Sequence, residues 1–169
     1  MAEIEIWYEG DLSTRCVHKE NGSEITTDAP KGNQGLGRVF SPTDLLAAAL
    51  GSCVLTLMGI IARKRNIDIK GTKLSVVKEM QSAPSRRIGR LSVQVYCPYT
   101  FSPEITDQLI KAAQTCPVKH SLHPDIQQEL IFHWGNREVP ELARFWQTFE
   151  RVGAEPSFPN LSHHCSLQL

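Results

Sequence analysis

The stretch from Ser41 to Arg65 constrains the fold of this chain more than any other, because it carries a complete set of helix signals. Ser41 is a favourable N-cap, Pro42 suits the first helical position, and Asp44 stands where a capping box places its acidic member. Three consecutive cations at residues 63–65 close the stretch, where positive charge suits the free carbonyl groups. The sequence therefore predicts one long helix.

Apolar residues at helical spacing predict which side of this helix is buried. The expected core stripe consists of Leu46, Ala49, Leu50, Cys53, Leu57, Ile60 and Ile61. Other apolar side chains, namely Val54, Met58 and Ala62, fall off that stripe. A helix that is apolar round much of its surface is buried on more than one side, and this pattern favours a dimer.

A single cysteine, Cys53, lies on the expected stripe nine residues after Asp44. At a rise of about 1.5 Å per residue it is roughly 15 Å from the helix start. The helix dipole acts mainly within the terminal turn, so it does not lower the pKa of this thiol. Two interpretations remain open: a small core side chain, or a nucleophile that needs a cation and a second sulfur from elsewhere.

Length, charge and cysteine spacing exclude several classes of protein. The 169 residues suit one domain, and equal numbers of basic and acidic residues, 18 each, give no electrostatic case for nucleic acid or an anionic membrane. The apolar run at 45–62 is interrupted by glycine and hydroxyl residues, so we expect no membrane span. The N-terminus lacks signal-peptide features, which predicts a cytoplasmic protein. No CxxC pair occurs, so the usual zinc and thioredoxin signatures are absent. We expect no metal and no cofactor.

The remaining patterns predict an α+β chain. Alternating residues indicate strands at 3–8, 14–19 and 24–27, a hairpin of 74–79 with 90–96, and a last strand at 129–134. A second capped helix is expected at 102–114, followed by a short helical turn at 118–122. Residues 1–138 then form the main domain. Residues 139–169 are an extension with one amphipathic helix at 140–152.

Two motifs of this chain resemble the OsmC/Ohr family of thiol-dependent peroxide-handling proteins. They are SPTDLLAAALGSC at residues 41–53 and AAQTCPVKHSL at 112–122, and the first is more similar to the OsmC-like branch. The resemblance implies an OsmC-like α+β fold in which antiparallel-rich sheets pack on a long central helix. It also implies an intertwined homodimer with active sites at the subunit interface.

The same resemblance implies a peroxidase that reduces organic hydroperoxides, with hydrogen peroxide as a further substrate of some members, in oxidative-stress defence. Cys53 matches the peroxidatic cysteine, and Cys116 matches the resolving cysteine. A thiolate of this kind attacks a peroxide oxygen and becomes a sulfenic acid. The second thiol condenses with it to a disulfide, which an external dithiol, such as a lipoyl-type reductant, reduces.

Members of this family also hold the thiolate with an arginine that a carboxylate orients. Arg15 is the best match for the arginine, with Arg38 as the other candidate. Ten residues before Cys53, where the carboxylate is expected, this chain has Thr43, and Asp44 follows about 100° further round the helix. Asp44 either takes the carboxylate's role or only caps its helix. This departure leaves a second hypothesis open, a non-catalytic protein on the same scaffold that binds small molecules or senses redox state.

Overall fold

The structure, a computed structural model, describes residues 1–135 of the chain. The predicted α+β arrangement is confirmed within that range, whereas the predicted helix at 140–152 lies outside the described residues. The predicted elements form with small shifts at their ends. They are β1 (Ile4–Gly10), β2 (Ser13–His18), β3 (Glu24–Asp28), α1 (Pro42–Lys64), β4 (Lys73–Gln81), β5 (Arg87–Cys97), α2 (Pro103–Gln114), α3 (Pro117–Ser121) and β6 (Gln127–Trp134).

The strands form two separate three-stranded sheets, in the orders β1-β2-β3 and β4-β5-β6. The first sheet is antiparallel throughout, and β4 pairs antiparallel with β5 as the predicted hairpin. β6 instead runs parallel to β5. Two parallel neighbours need a crossover connection, and the helices α2 and α3 between them supply it.

The core lies on one face of the second sheet. Alternate residues of β5 point to this face, and Leu91, Val93 and Val95 are at most 1% exposed. Leu50 of α1 and Leu109 of α2 pack into the same cluster and are fully buried. The sequence prediction that Leu91, Val93 and Val95 share one face of a strand is thus confirmed, and that face is the buried one.

The start of α1 is the capping box that the sequence predicts. The backbone N–H of Asp44 donates to Ser41 Oγ at 3.2 Å, and the backbone N–H of Ser41 donates to Asp44 Oδ2 at 2.9 Å. These two bonds satisfy amides that a helix leaves without partners in its first turn. The helix then continues for 23 residues to Lys64.

The predicted core stripe of α1 is correct only in part. Leu50 is fully buried, and Cys53, Leu57 and Ile61 are partly buried and pack against the core. The buried side consists of Ala47, Leu50, Gly51, Val54, Met58 and Ala62. Leu46 and Ile60, from the predicted stripe, are 37% and 45% exposed. The helix is apolar round much of its surface, so its periodicity alone does not determine which side is buried. Gly51 does, because its missing side chain lets Leu74 and Val76 of β4 approach the helix closely.

α1 is also long and apolar enough, by length and composition, to cross a membrane. This finding differs from the sequence-based expectation, which gave weight to the interrupting glycine and hydroxyl residues. Core helices of water-soluble proteins commonly have the same length and composition. In this chain the buried side of α1 packs on β4, α2 and α3, and a third of the apolar window is buried.

The first sheet carries an uncovered apolar face. Ile6, Cys16 and Ile25 are cross-strand neighbours, so their side chains share one face of the sheet, and Ile4 and Tyr8 lie on that face two residues to either side of Ile6. Ile4, Ile6 and Tyr8 are 58%, 63% and 68% exposed. A small sheet is stable only when such a face packs against another part of a protein, and among residues 1–135 this face has no such partner.

Candidate functional site

Cys53 lies in the middle of α1, one position before the buried Val54. Its side chain packs at the edge of the hydrophobic core, and the residue is only partly buried. Cys53 is about 160° round the helix from Gly51, the residue that faces β4 most closely, so Cys53 does not point at that sheet. Cys53 therefore lies at the edge of the core and is less buried than Cys116.

Cys116 lies two residues after the end of α2 and forms the N-cap of α3. Pro117 follows at the first position of α3, which suits a residue without an N–H. The backbone N–H of Lys119 donates to the Cys116 sulfur at 3.4 Å. The Cys116 side chain is fully buried, so the cap and the core together fix its position.

The Cys116 thiol is influenced by Cys53, although 62 residues lie between the two cysteines along the chain. Burial raises the pKa of the Cys116 thiol, and its hydrogen bond to Cys53 raises that pKa further. Cys116 therefore retains its proton. The pair is asymmetric: one thiol is accessible, and the other is buried, protonated and within reach of it.

The structure does not bring Arg15 to Cys53 within this chain. The Arg15 side chain, on β2, donates to Glu9 at 2.9 Å and to Glu24 at 3.4 Å. It also stacks over the ring of Trp7, with 4.7 Å from the guanidinium carbon to the ring centre. Arg15 is thus held by its own sheet, on the face opposite to Ile6 and Ile25.

Arg38, the other candidate cation, also has a partner other than Cys53. Its guanidinium forms a bidentate ion pair with Asp28. Arg38 Nε donates to Asp28 Oδ2 at 2.7 Å, and Arg38 Nη2 donates to Asp28 Oδ1 at 2.9 Å. The Asp28 side chain is almost fully buried, and hydrogen bonds from Arg38 hold the pKa of this carboxyl far below its usual range. Among residues 1–135, neither arginine forms a hydrogen bond with the Cys53 sulfur.

Asp44 and Thr43 contact a lysine rather than an arginine. Lys78 Nζ of β4 donates to Asp44 Oδ1 at 2.6 Å and to Thr43 Oγ1 at 2.7 Å. Burial opposes ionisation of Asp44, but the hydrogen bonds from Lys78 and Ser41 outweigh it and lower its pKa to about 2. In this chain Asp44 therefore caps α1 and pairs with Lys78.

Lys78 is a site residue that the sequence reasoning missed. The alternation of β4 could have identified it. Lys78 shares its strand face with Leu74 and Val76, both of which pack toward α1. A lysine on the inward side of an amphipathic strand needs an anionic partner. Within the described part of the chain, no group of three or more metal-ligating side chains occurs.

Comparisons with known proteins agree with this architecture. The family model described as OsmC-like protein matches residues 35–130, which is more than half of the chain. A crystal structure from Psychrobacter arcticus 273-4, named for a suggested role in osmotic stress and detoxification response, is 44% identical with a TM-score of 0.75. The matched region covers 79% of this chain and 96% of that one. No curated protein matches the chain significantly.

Two more distant structures share the fold. An organic hydroperoxide resistance protein OsmC from Legionella pneumophila is 13% identical with a TM-score of 0.64, covering 79% of this chain and 96% of that one. The organic hydroperoxide resistance protein OhrB of Bacillus subtilis is 15% identical with a TM-score of 0.59, covering 78% and 97%. The predicted resemblance is confirmed by the family match and by the Psychrobacter structure. This chain belongs to the OsmC-like protein family.

Proposed function

We propose that this protein is a thiol-dependent peroxidase that reduces organic hydroperoxides. One observation carries the proposal: the partly exposed Cys53 thiol interacts with the buried, protonated Cys116 thiol. The accessible member of such a pair is the one a peroxide meets first. The buried member is protected from the peroxide and remains available to resolve the product.

In the proposed reaction, the Cys53 thiolate attacks one oxygen of the peroxide and the O–O bond breaks. The other oxygen leaves as an alcohol after taking a proton, and Cys53 becomes a sulfenic acid. The Cys116 sulfur then attacks the sulfenic sulfur, its proton leaves with the hydroxyl group as water, and a disulfide forms. An external dithiol restores both thiols by two exchange steps and is itself oxidised. A reducing cytoplasm, which we propose as the location, maintains such a pair.

We also propose that the working form is a homodimer, in which the second subunit supplies the cation at Cys53. Two apolar surfaces of the single chain support this: the Ile4, Ile6 and Tyr8 face of the first sheet, and the exposed Leu46 and Ile60 on α1. Exposed apolar area of this kind marks interaction surfaces. Arg15 remains our candidate for the cation, which requires it to exchange its surface pairing with Glu9 for a position across the interface.

The first test is consumption of cumene hydroperoxide with dihydrolipoamide as reductant. Wild type turns over, Cys53→Ser does not, and Cys116→Ser loses multiple turnover because its sulfenic acid is not resolved. Cys97→Ser is the matched control, since Cys97 is as buried as Cys116 but lies on β5. Equal rates for wild type and Cys53→Ser would show that the proposal is wrong.

The second test mixes two inactive variants, Arg15→Ala and Cys53→Ser, after reversible dissociation. If Arg15 acts across a dimer interface, half of the dimers are mixed and each holds one intact site, so about a quarter of wild-type activity returns. If Arg15 acts within its own chain, every site lacks one of the two residues and no activity returns. Light scattering on the purified protein measures the dimer directly.

A second candidate function is a binding or redox-sensing protein that lacks useful turnover. It is favoured by the pairing of Arg15 and Arg38 with carboxylates rather than with Cys53 in the described chain. Intact mass spectrometry after one equivalent of peroxide separates the two functions. Rapid loss of two hydrogens that maps to Cys53 and Cys116 supports the peroxidase. Slow oxidation scattered over Cys16 and other thiols supports the alternative.

A further inference from the structure

One side of α1 points away from β4 and carries Cys53 between two exposed apolar side chains. Leu46 and Ile60 each lie seven residues from Cys53, so both are within about 20° of it round the helix. They are 37% and 45% exposed. We call this strip of Leu46, Cys53 and Ile60 the cysteine ridge. Its exposed apolar ends indicate that another surface covers it.

A concave surface of the same chain lies between the first sheet, the start of α1 and strand β4, and it encloses about 720 Å³. Tyr8, Thr14 and Thr27 form its wall on the first sheet, on the face that also carries Ile6. The second subunit covers that face in the proposed dimer, so the concave surface is part of the interface. Its lining is mainly apolar, as is the cysteine ridge.

Lys78 brings a positive charge to this concave surface. Its ammonium group donates to Asp44 Oδ1 at 2.6 Å and to Thr43 Oγ1 at 2.7 Å, which uses two of its three N–H donors. Among residues 1–135 the third donor has no acceptor. Lys78 and Thr43 line the concave surface, whereas Asp44 does not, and no acidic side chain of the described chain lines it. The Lys78–Asp44 pair therefore presents its positive end to the interior.

The two surfaces are complementary in chemistry. The cysteine ridge is apolar and carries one group that becomes an anion, the Cys53 thiolate. The concave surface is mainly apolar and carries an ammonium group that lacks one acceptor. A two-fold dimer presents both surfaces on each subunit, so a single arrangement covers both and creates two identical sites.

We propose that the cysteine ridge of each subunit packs into the concave surface of its partner, and that Lys78 of the partner subunit donates its third N–H to the Cys53 thiolate. The inference rests on the dimer and on the role of Cys53 given under the proposed function. A charge-assisted hydrogen bond from an ammonium group stabilises a thiolate. Lys78 is then a catalytic residue, because it contacts the reacting sulfur. It keeps its own proton, so the atom balance of the proposed reaction is unchanged.

Lys78 is already at the interface, held by two hydrogen bonds, before any rearrangement. Arg15 lies on the opposite face of the first sheet and must first leave Glu9. The two cations are therefore distinguishable by mutation.

The first test measures how fast iodoacetamide labels Cys53 in the full reduced protein between pH 5 and pH 10, by peptide mass mapping. Lys78→Met removes the charge, so labelling at pH 7 slows at least about tenfold and the pH profile moves up by about one unit or more. Lys78→Gln, which can still bond to Thr43, behaves in the same way, and Lys78→Arg retains most of the rate. Lys19→Met is the matched control, because it removes an exposed lysine paired with Glu5, and it follows wild type. Circular dichroism and light scattering verify that each variant is a folded dimer.

The second test asks whether the charge comes from the partner subunit. Lys78→Met and Cys53→Ser are mixed in equal amounts after reversible dissociation. About half of the chains that retain Cys53 then pair with a chain that retains Lys78, so about half of Cys53 is labelled at the wild-type rate and the rest slowly. If all of Cys53 is labelled slowly, Lys78 acts within its own chain and the proposal is overturned.

The proposal is also overturned if the two charge-removing variants are labelled like wild type, if Lys19→Met slows labelling as much, or if the wild-type protein is a monomer. The labelling contains no peroxide, so its failure is distinguishable from failure of the proposed function. If hydroperoxide turnover depends on Cys53 but labelling does not depend on Lys78, only this inference fails. If the labelling results hold but no hydroperoxide is consumed, the peroxidase fails and the contact of Lys78 with Cys53 is supported.

Discussion

Lys78 Nζ donates a hydrogen bond of 2.6 Å to Asp44 Oδ1 and thereby joins strand β4 to the first turn of α1. The same ammonium group bonds to Thr43 Oγ1, so it contacts both residues at which the chain departs from the carboxylate position expected for its family. The Lys78 side chain is only 18% exposed. The start of α1 is therefore held by an internal pair that needs no arginine.

Replacing Lys78 with methionine should lower the free energy of unfolding by about 1 kcal/mol, because two hydrogen bonds in a partly buried place are lost. Denaturant unfolding monitored by circular dichroism measures the change. Lys19→Met is the matched control, since the Lys19 pair with Glu5 is equally short but exposed at both ends. We expect under about 0.5 kcal/mol there. Equal losses for the two variants would contradict a structural role for Lys78.

Asp44 should make the stability of the protein fall as the pH falls below about 4. The pKa of Asp44 is lowered from 3.8 to about 2, so the folded state holds this carboxylate ionised where the unfolded chain takes up a proton. Its contribution is complete above the unfolded pKa and disappears as the pH falls through the folded pKa. Because the Asp44 side chain is 42% exposed, we expect no more than about 1 kcal/mol.

Asp44→Asn should be less stable at neutral pH and should lack this part of the pH dependence. Unfolding midpoints between pH 2 and pH 6 measure it. Asp107→Asn, which changes an exposed carboxyl on α2, is the control and should follow wild type. If Asp44→Asn retains the full acid slope, another carboxyl is responsible.

The two candidate redox cysteines should differ in their reaction with iodoacetamide. Cys53 is partly exposed, whereas Cys116 is fully buried and burial raises its pKa, so Cys53 should be labelled at least about tenfold faster. Peptide mass mapping over a time course measures both rates in one sample. Cys97, which is also buried, provides an internal reference for a protected thiol. Labelling of Cys116 as fast as Cys53 would contradict the asymmetry on which the proposed function depends.

Two valines on neighbouring strands should test which face of the second sheet is the core. Val93 of β5 is 1% exposed, and Val77 of β4 is 50% exposed. Val93→Ala should lower the free energy of unfolding by about 2 kcal/mol, through lost burial and the cavity left behind. Val77→Ala should change it by under about 0.5 kcal/mol. Thermal unfolding of the two variants measures the contrast, which would vanish if both faces were equally packed.

The prediction of local structure succeeded wherever neighbours in sequence decide the outcome. The cap at Ser41 and Asp44 is made by residues three apart, so sequence alone identifies it. The alternation of Leu91, Val93 and Val95 likewise selects one face of a strand. The two cysteine motifs also came from sequence, although only a resemblance, and no spacing rule, linked Cys53 with Cys116.

The sequence identified the buried side of α1 only in part, because that helix is apolar round much of its surface. Packing chose it, through the close approach of Leu74 and Val76 to Gly51. Nor could the sequence assign partners to charged residues far apart along the chain. Arg15 was expected at Cys53, but among residues 1–135 it forms ion pairs with Glu9 and Glu24.

Sequence by itself therefore determined the order of the elements, the ends of α1 and the family, since each of these is written in short-range patterns or in two local motifs. Only the tertiary structure decided that Cys53 and Cys116 interact, that one is accessible and the other buried, and that Lys78 rather than an arginine holds Asp44. Contacts between residues distant along the chain depend on how the elements pack. For α1, strand β4 supplies Lys78 as the partner of Asp44 in the first turn, and the N-cap of α3 supplies Cys116 as the partner of Cys53.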